Sequence, residues 1–459
     1  MRWLRPLLGG AVLLVFLLVT LIASKWFKEW KFKHDVQAHI RHVILIVQEN
    51  RSFDNLFHDL SGADTASFGY AHDGTKVVLQ PVPLEVGYDI SNGLRDFNRS
   101  YDNGKMDGWD LRRVGPISGA NIPLSVAQYP QYGYIPVKEA RPYFEMAEQY
   151  VVLDRMFQSN IDESFAAHLY LIAGQAGRAV NIPSGRPWGC DAFYGTTVAT
   201  LTDARWFGKR VAPCFGFKTL GDELDARLLS WRYYAPKVSS ARTWRLFFLT
   251  PPELRRAKEP EFGQLWSAYD AVAQDRYGLP WMRSVISPET QILRDIKHDD
   301  LASVTWVVPD WKNSDHSFSR SATGPSWVTA IVNAIGESPF WQSSVILITW
   351  DDSGGWYDHV PPPQLDYDGL GVRVPLIVVS PYAKRGYVSH VQSEFGSILR
   401  FTELTFDLRA MAASDSRASD LIDCFDFSQA PRQFRRIVAP EPANYFMTAK
   451  ASSVPPDKD

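Results

Sequence analysis

Apolar residues in this chain recur in short unbroken runs rather than in alternation. His42 to Gln48 and Val345 to Trp350 carry Val, Ile and Leu at consecutive positions, as a strand buried on both faces of a parallel sheet does. Val151 to Arg155, Val304 to Val308 and Pro375 to Ser380 read as further strands. Phe53 to Leu60, Ala140 to Gln149, Phe165 to Ala173, Ser326 to Ile335 and Ser393 to Leu404 read as helices. Strands and helices taking turns in this way predict an α/β fold, a mainly parallel sheet sandwiched by helices, joined by right-handed crossovers.

Two stretches break the rhythm. Residues 68–133 are rich in Gly, Asn, Asp and Tyr, which predicts loops around a site rather than core. Asn181 to about Pro260 is rich in Pro, Gly and Trp without a clear period, and reads as a loop-rich insertion that leaves the sheet and builds a cap. The α/β domain is expected over residues 35–440. Residues 441–459 turn polar and Pro-rich and are expected to be disordered. No internal repeat is visible.

Residues 1–34 are set apart from that domain. Leu7 to Ala23 holds no charge, Arg2 and Arg5 precede it, and Lys25, Lys28, Lys31 and Lys33 follow. At about 17 residues the run is just long enough to cross a bilayer. No convincing small-x-small cleavage site follows, so an uncleaved membrane anchor is favoured, with a signal segment and a secreted domain as the alternative. More lysines after the run than arginines before it argue for a cytoplasmic domain. A short tail before the anchor and a large domain after it argue for export, and the domain is expected outside the cytoplasm.

Composition narrows the partners. The 459 residues suffice for a large core, and 48 basic against 51 acidic side chains leave a net charge of -3, which predicts no nucleic-acid binding. The 16 Trp fit core packing first and pockets for lipid tails or sugars second. Cys190 and Cys214 could bridge a loop in an oxidising compartment, leaving Cys424 free, and three reduced cysteines fit the sequence equally well. Oligomeric state has no signal in the sequence.

The chemistry lies at the strand ends. The first long run ends in Glu49-Asn50 and the later one in Asp351-Asp352, and ligands of open α/β sheets collect beyond the carboxyl ends of their strands. Either doublet alone would pass as an ordinary strand end, with Asn50 or Asp54 capping the following helix. Both together gather three carboxylates and an amide, which points to one divalent cation, with calcium, magnesium or manganese favoured over zinc. Gly354 and Gly355 let the chain turn and bring His359 back toward the acids. Ser164 stands where an apolar helix should begin, and is either its cap or a nucleophile. His168 lies four residues on, along the same helix face, and Asp315-His316 follows the Val304 run. His316 and His359 could bind a phosphoryl oxygen or protonate a leaving group.

The runs Gln48-Glu49-Asn50-Arg51-Ser52-Phe53-Asp54-Asn55-Leu56-Phe57, Gly104-Lys105-Met106-Asp107-Gly108-Trp109, Ser314-Asp315-His316 and Trp350-Asp351-Asp352-Ser353-Gly354-Gly355-Trp356-Tyr357-Asp358-His359-Val360 closely resemble the bacterial phosphoesterase family of phospholipases C and acid phosphatases. The resemblance runs from about His42 to Leu404. It implies an alkaline-phosphatase-like fold and hydrolysis of phosphoesters through a phosphorylated Ser or Thr. Carried over, it implies Glu49, Asn50, Asp351, Asp352 and Ser164 as metal ligands, Ser164 also as nucleophile, and His316 and His359 on the phosphoryl group. His168, Asp315 and Asn92 are assigned to the substrate. Relatives often read Asp-x-x-His where this chain has Asp89-Ile90-Ser91-Asn92, and Pro-Asn where it has Ala166-Ala167. The expected substrate is a phospholipid, with a phosphomonoester as the alternative. The loss of the histidine leaves a third reading, a membrane-anchored binding protein with an impaired site.

Overall fold

The computed structural model describes residues 20, 23, 24, 26–116, 128–161, 163–185, 187–192, 194–236, 267–319 and 321–450. The predicted anchor, Leu7 to Ala23, lies outside them apart from Thr20 and Ala23. Among the described residues no helix is long and apolar enough to cross a membrane.

Eight strands form the central sheet: β1 (His42–Gln48), β2 (Val151–Leu153), β3 (Trp231–Tyr234), β4 (Val285–Ile286), β5 (Val304–Val307), β6 (Ser344–Trp350), β7 (Leu376–Val379) and β8 (Tyr387–Ser389). Their order across the sheet is β4-β3-β5-β1-β6-β7-β2-β8. Seven run parallel, and β7 runs against both of its neighbours. β1 and β6, far apart in sequence, lie side by side along their full length, from His42 opposite Ser344 to Gln48 opposite Trp350. Both are buried almost throughout, which is why neither alternates.

The main helices are α1 (Phe53–Phe57), α2 (Leu94–Tyr101), α3 (Arg141–Gln149), α4 (Ser164–Ala173), α5 (Leu220–Ala226), α6 (Gln291–Lys297), α7 (Gly324–Gly336), α8 (Phe395–Phe406) and α9 (Ala443–Thr448). Seven of them flank the sheet in two packed groups, α7 with α3, α6 and α9, and α4 with α5 and α8. Together with the sheet they enclose one large apolar core. The mainly parallel α/β architecture matches the expectation.

Four boundaries differ from the sequence reading. β3 belongs to the central sheet although it falls inside the predicted insertion. Its Trp-Arg-Tyr-Tyr sequence lacks a β-branched run because Arg232 points to the rim, where it meets Asp295 and Asp300. Before β3, the insertion contributes Val198–Leu201 and Phe207–Val211 to a small antiparallel sheet with Ala179–Val180, which lies just ahead of it, and residues 237–266 lie outside the described part. Residues 68–133 are not only loops, for Leu94, Phe97 and Trp109 build a second apolar cluster with Tyr357. Nor is the chain past Pro440 all tail: α9 sets Phe446 edge-on against Trp327 at 5.4 Å, while residues 451–459 lie outside the described part. At the other end the core starts before residue 35, because Phe32 of a helix over residues 26–39 packs on Phe401 and Phe425.

Candidate active site

β1 and β6 deliver their acids to one place. The backbone N–H of Asn50 donates to Asp351 Oδ1 at 3.1 Å, across 301 positions of sequence, and that of Arg51 donates to the Asp352 carbonyl at 2.9 Å. The crossing is tight. Asn50 takes a left-handed φ of 59°, and Gly354, also left-handed at 57°, leaves no room for a Cβ, which would stand 2.5 Å from that of Asn50. This contact, rather than flexibility, is the reason for the glycine.

Ser164 meets the acids from the other side. It is the first residue of α4, with Glu163 in the cap position and no side-chain cap bond. Its hydroxyl faces Glu49 Oε2 at 3.3 Å and Asp352 Oδ2 at 3.1 Å instead. The capping alternative for Ser164 therefore fails on geometry. Likewise neither Asn50 nor Asp54 caps α1; Ser52 does, accepting the N–H of Asn55.

His168, one turn further along α4, brings Nε2 to 3.0 Å from Glu49 Oε1 and 3.7 Å from Asp351 Oδ2. Glu49, His168 and Asp351 each offer a ligand atom within 4.8 Å of the others. Burial lowers the pKa of His168, opposed by the charge of Asp351. Asn92 donates its amide to Asp352 Oδ1 at 3.0 Å. So the residue in the place of the family histidine touches the site.

The donor set suits a hard cation. Glu49, Asn50, Asp351, Asp352 and Ser164 are all buried, and Asn50 Oδ1 and Asp351 Oδ2 have no hydrogen-bond partner among the described residues. Buried carboxylates left in that state are costly unless a charge of opposite sign joins them. Two residues before His316, the Ser314 carbonyl accepts the Glu49 N–H. His316 Nδ1 accepts the N–H of Phe318 at 3.4 Å, which in the neutral ring leaves the proton on Nε2, a buried atom with no partner among the described residues.

Two predicted residues stand elsewhere. His359 does not join the acids of β1 and β6, because Asp54 takes its Nδ1 at 2.7 Å and Asp64 its Nε2 at 3.1 Å. Asp54, Asp358 and the buried Arg373 complete that second group, with Arg373 at 2.8 Å from Asp358 and 3.2 Å from Asp54. Asp315 is turned inward, accepting from Tyr143 at 2.6 Å and Trp350 at 3.2 Å, so its side chain braces the strand ends instead of facing a substrate. Sequence reading missed Asp64 and Arg373, which only tertiary packing brings to His359. It also missed Glu163, whose Oε2 accepts the N–H of Ile182 at 2.7 Å and ties the insertion to the start of α4.

The family model described as the Phosphoesterase family matches residues 40–409. Hemolytic phospholipase C of Pseudomonas aeruginosa is 25% identical, over 85% of this chain and 56% of the relative. Phospholipase C B of Mycobacterium tuberculosis is 23% identical over 85% of this chain and 78% of its own length. Non-specific phospholipase C1 of Arabidopsis thaliana is 24% identical over 94% and 79%. The chain thus spans little more than half of the first relative and over three quarters of the other two. Among solved structures, a protein in the alkaline phosphatase superfamily from Vibrio parahaemolyticus aligns at 11% identity and a TM-score of 0.32, covering 82% of this chain and 68% of that one. With the family model matching most of its length, the chain belongs to the Phosphoesterase family, and so to the hydrolases of phosphoric ester bonds.

Proposed function

We propose that this chain is a metal-dependent phosphodiesterase of the phospholipase C type that works through a phosphorylated Ser164. The observation that carries the reading is the Ser164 hydroxyl, buried, free of any capping role and set between Glu49 and Asp352. Glu49, Asn50, Asp351, Asp352 and Ser164 would hold one divalent cation, and their oxygens favour calcium, magnesium or manganese. When bound, such an ion supplies charge neutralisation for the phosphoryl oxygens and a lowered pKa for the serine hydroxyl.

The residues themselves supply the rest. Ser164 gives its proton to a neighbouring carboxylate and forms a bond to phosphorus as the bond to the leaving alcohol breaks, and that alcohol takes up the proton. Water then adds to phosphorus, the bond to Ser164 Oγ breaks and the hydroxyl is restored. Negative charge on the phosphoryl group lies at the amino end of α4, which favours it. His316, whose Nε2 is buried without a partner among the described residues, would serve as a further donor to the phosphoryl group. His359, held by Asp54 and Asp64, takes no part in this scheme.

The named relatives are phospholipases C, which makes a phospholipid headgroup the favoured ester over a phosphomonoester. The disulfide between Cys190 and Cys214 supports a domain that works outside the cytoplasm. Ser164→Ala is expected to stop release of diacylglycerol from phosphatidylcholine, and of the chromophore from a chromogenic phosphoester, while metal remains bound. Wild-type turnover in that variant overturns the scheme. Faster release of phosphate from a monoester than of diacylglycerol would move the assignment to a phosphatase.

A further inference from the structure

The helix over residues 26–39 has two unlike faces. Phe32, Val36 and Ile40 form the stripe that enters the core. Residues 26–31 make no such contact and are exposed, with Trp26 70%, Phe27 62% and Trp30 56% accessible. Six residues of helix rise about 9 Å, so Trp26 and Phe27 stand beyond Trp30, which borders a groove beside Phe406 and Asp407. Phe27 stacks on Trp30, and the His34 ring lies tilted against Trp30 at 4.0 Å, with Lys28 and Lys31 among them. Exposed Trp beside Lys, directly after an uncharged apolar run, is the composition of a headgroup-layer anchor.

The sheet fixes where this helix lies. Lys33 reaches Asp407 at 2.6 Å, just past the end of α8, and Gln37 donates to the Leu404 carbonyl. His39 packs on Tyr382 at 5.0 Å, below the end of the reversed strand β7. All three contacts lie at the edge where the parallel strands begin. The acids lie where they end. β1 alone covers roughly 20 Å between the two edges at about 3.3 Å per residue.

We propose that Trp26, Phe27 and Trp30 seat in the headgroup layer of a lipid bilayer and that the phosphoester site is thereby held on the side of the domain turned away from that bilayer. The inference rests on Leu7 to Ala23 entering the same bilayer, and it deepens the phosphoester reading: the ester comes from the aqueous phase or from a facing membrane, not from the lipid that anchors the chain.

The full chain in phosphatidylcholine and phosphatidylglycerol vesicles tests it. Cys424 is buried and the other two cysteines are bonded, so a fluorophore can be placed on Trp30→Cys, or on Leu111→Cys. Leu111 is exposed and adjoins Arg112, which bonds the carbonyl of Ser91 next to Asn92. Energy transfer to a headgroup-labelled lipid is expected to be strong from position 30 and lost from position 111. Equal or reversed transfer overturns the proposal, as does a chain that fails to sediment with the vesicles. In the second arm, diacylglycerol is expected only when acceptor vesicles are added, and hydrolysis of the chain's own vesicles that persists on dilution overturns the proposal. Should no ester be cleaved in any form, the phosphoester reading falls, while the two labels still decide the docking surface.

Discussion

Asn92 donates to Asp352 Oδ1 while Ser164 faces Oδ2 of the same carboxylate. Together with the Gly354 N–H, which donates to the same oxygen at 2.7 Å, Asn92 holds the plane of the acid that the serine must share. Carboxylates around metals are commonly held this way, and loss of the holding group costs roughly 10- to 100-fold in metal affinity or activity. Asn92→Ala is expected to weaken metal binding and turnover by a factor in that range, with folding unchanged. Metal titration followed by kcat measurement at saturating metal separates the two effects, and an unaltered affinity and rate would remove Asn92 from the site.

Arg373 is buried between Asp358 and Asp54 and also donates to the carbonyl oxygens of Asp64 and Asp154. Removing it strands two buried carboxylates. Arg373→Ala is expected to cost about 3–5 kcal/mol of stability, read as a lower denaturant midpoint. A variant as stable as the parent would mean that water reaches those acids.

Burial acts to lower the pKa of His359, but its hydrogen bond to Asp54 and the charge of Asp54 outweigh burial and hold the ring above its ordinary 6.5. A raised pKa in the fold means that the protonated ring stabilises fully below about 6.5, and that this stabilisation fades as pH climbs through the folded value. Thermal unfolding of the parent and of His359→Gln should therefore differ most in mild acid and converge in base. A gap independent of pH would contradict the pairing.

Cys190 and Cys214 close a loop across a separation of 24 residues. Cross-linking a loop of that length stabilises by roughly 3 kcal/mol through the unfolded chain. Cys190→Ser is expected to lower the melting temperature, and alkylation should reach both cysteines only after reduction. Modification without reductant would exclude the bridge.

The doublets were legible because β1 and β6 are buried on both faces, and unbroken Val, Ile and Leu mark such strands whatever lies around them. Their shared edge was legible too, since ligands gather at strand ends in this kind of sheet. Direction was not. His359 follows Gly354 and Gly355 as closely as any site residue, yet Asp54, Asp64 and Arg373 draw it aside, and no spacing in the chain announces that cluster. Asp315 misleads for the same reason: a charged residue beside a histidine reads as chemistry until Tyr143 and Trp350 are seen to hold it. β3 was hidden because aromatic residues and a rim arginine fill a strand as well as valine does.

The side-by-side lie of β1 and β6 has a consequence for biogenesis. Glu49 emerges early, but its partners Asp351 and Asp352 follow only after three hundred further residues, about 15–60 s of synthesis at ordinary ribosomal speed. Throughout that interval the leading strand has no finished neighbour on that flank, and the acids of the candidate site stay divided between newborn and unmade chain. In the export proposed above, the pairing of β1 with β6 can form only after the chain has been made through Trp350.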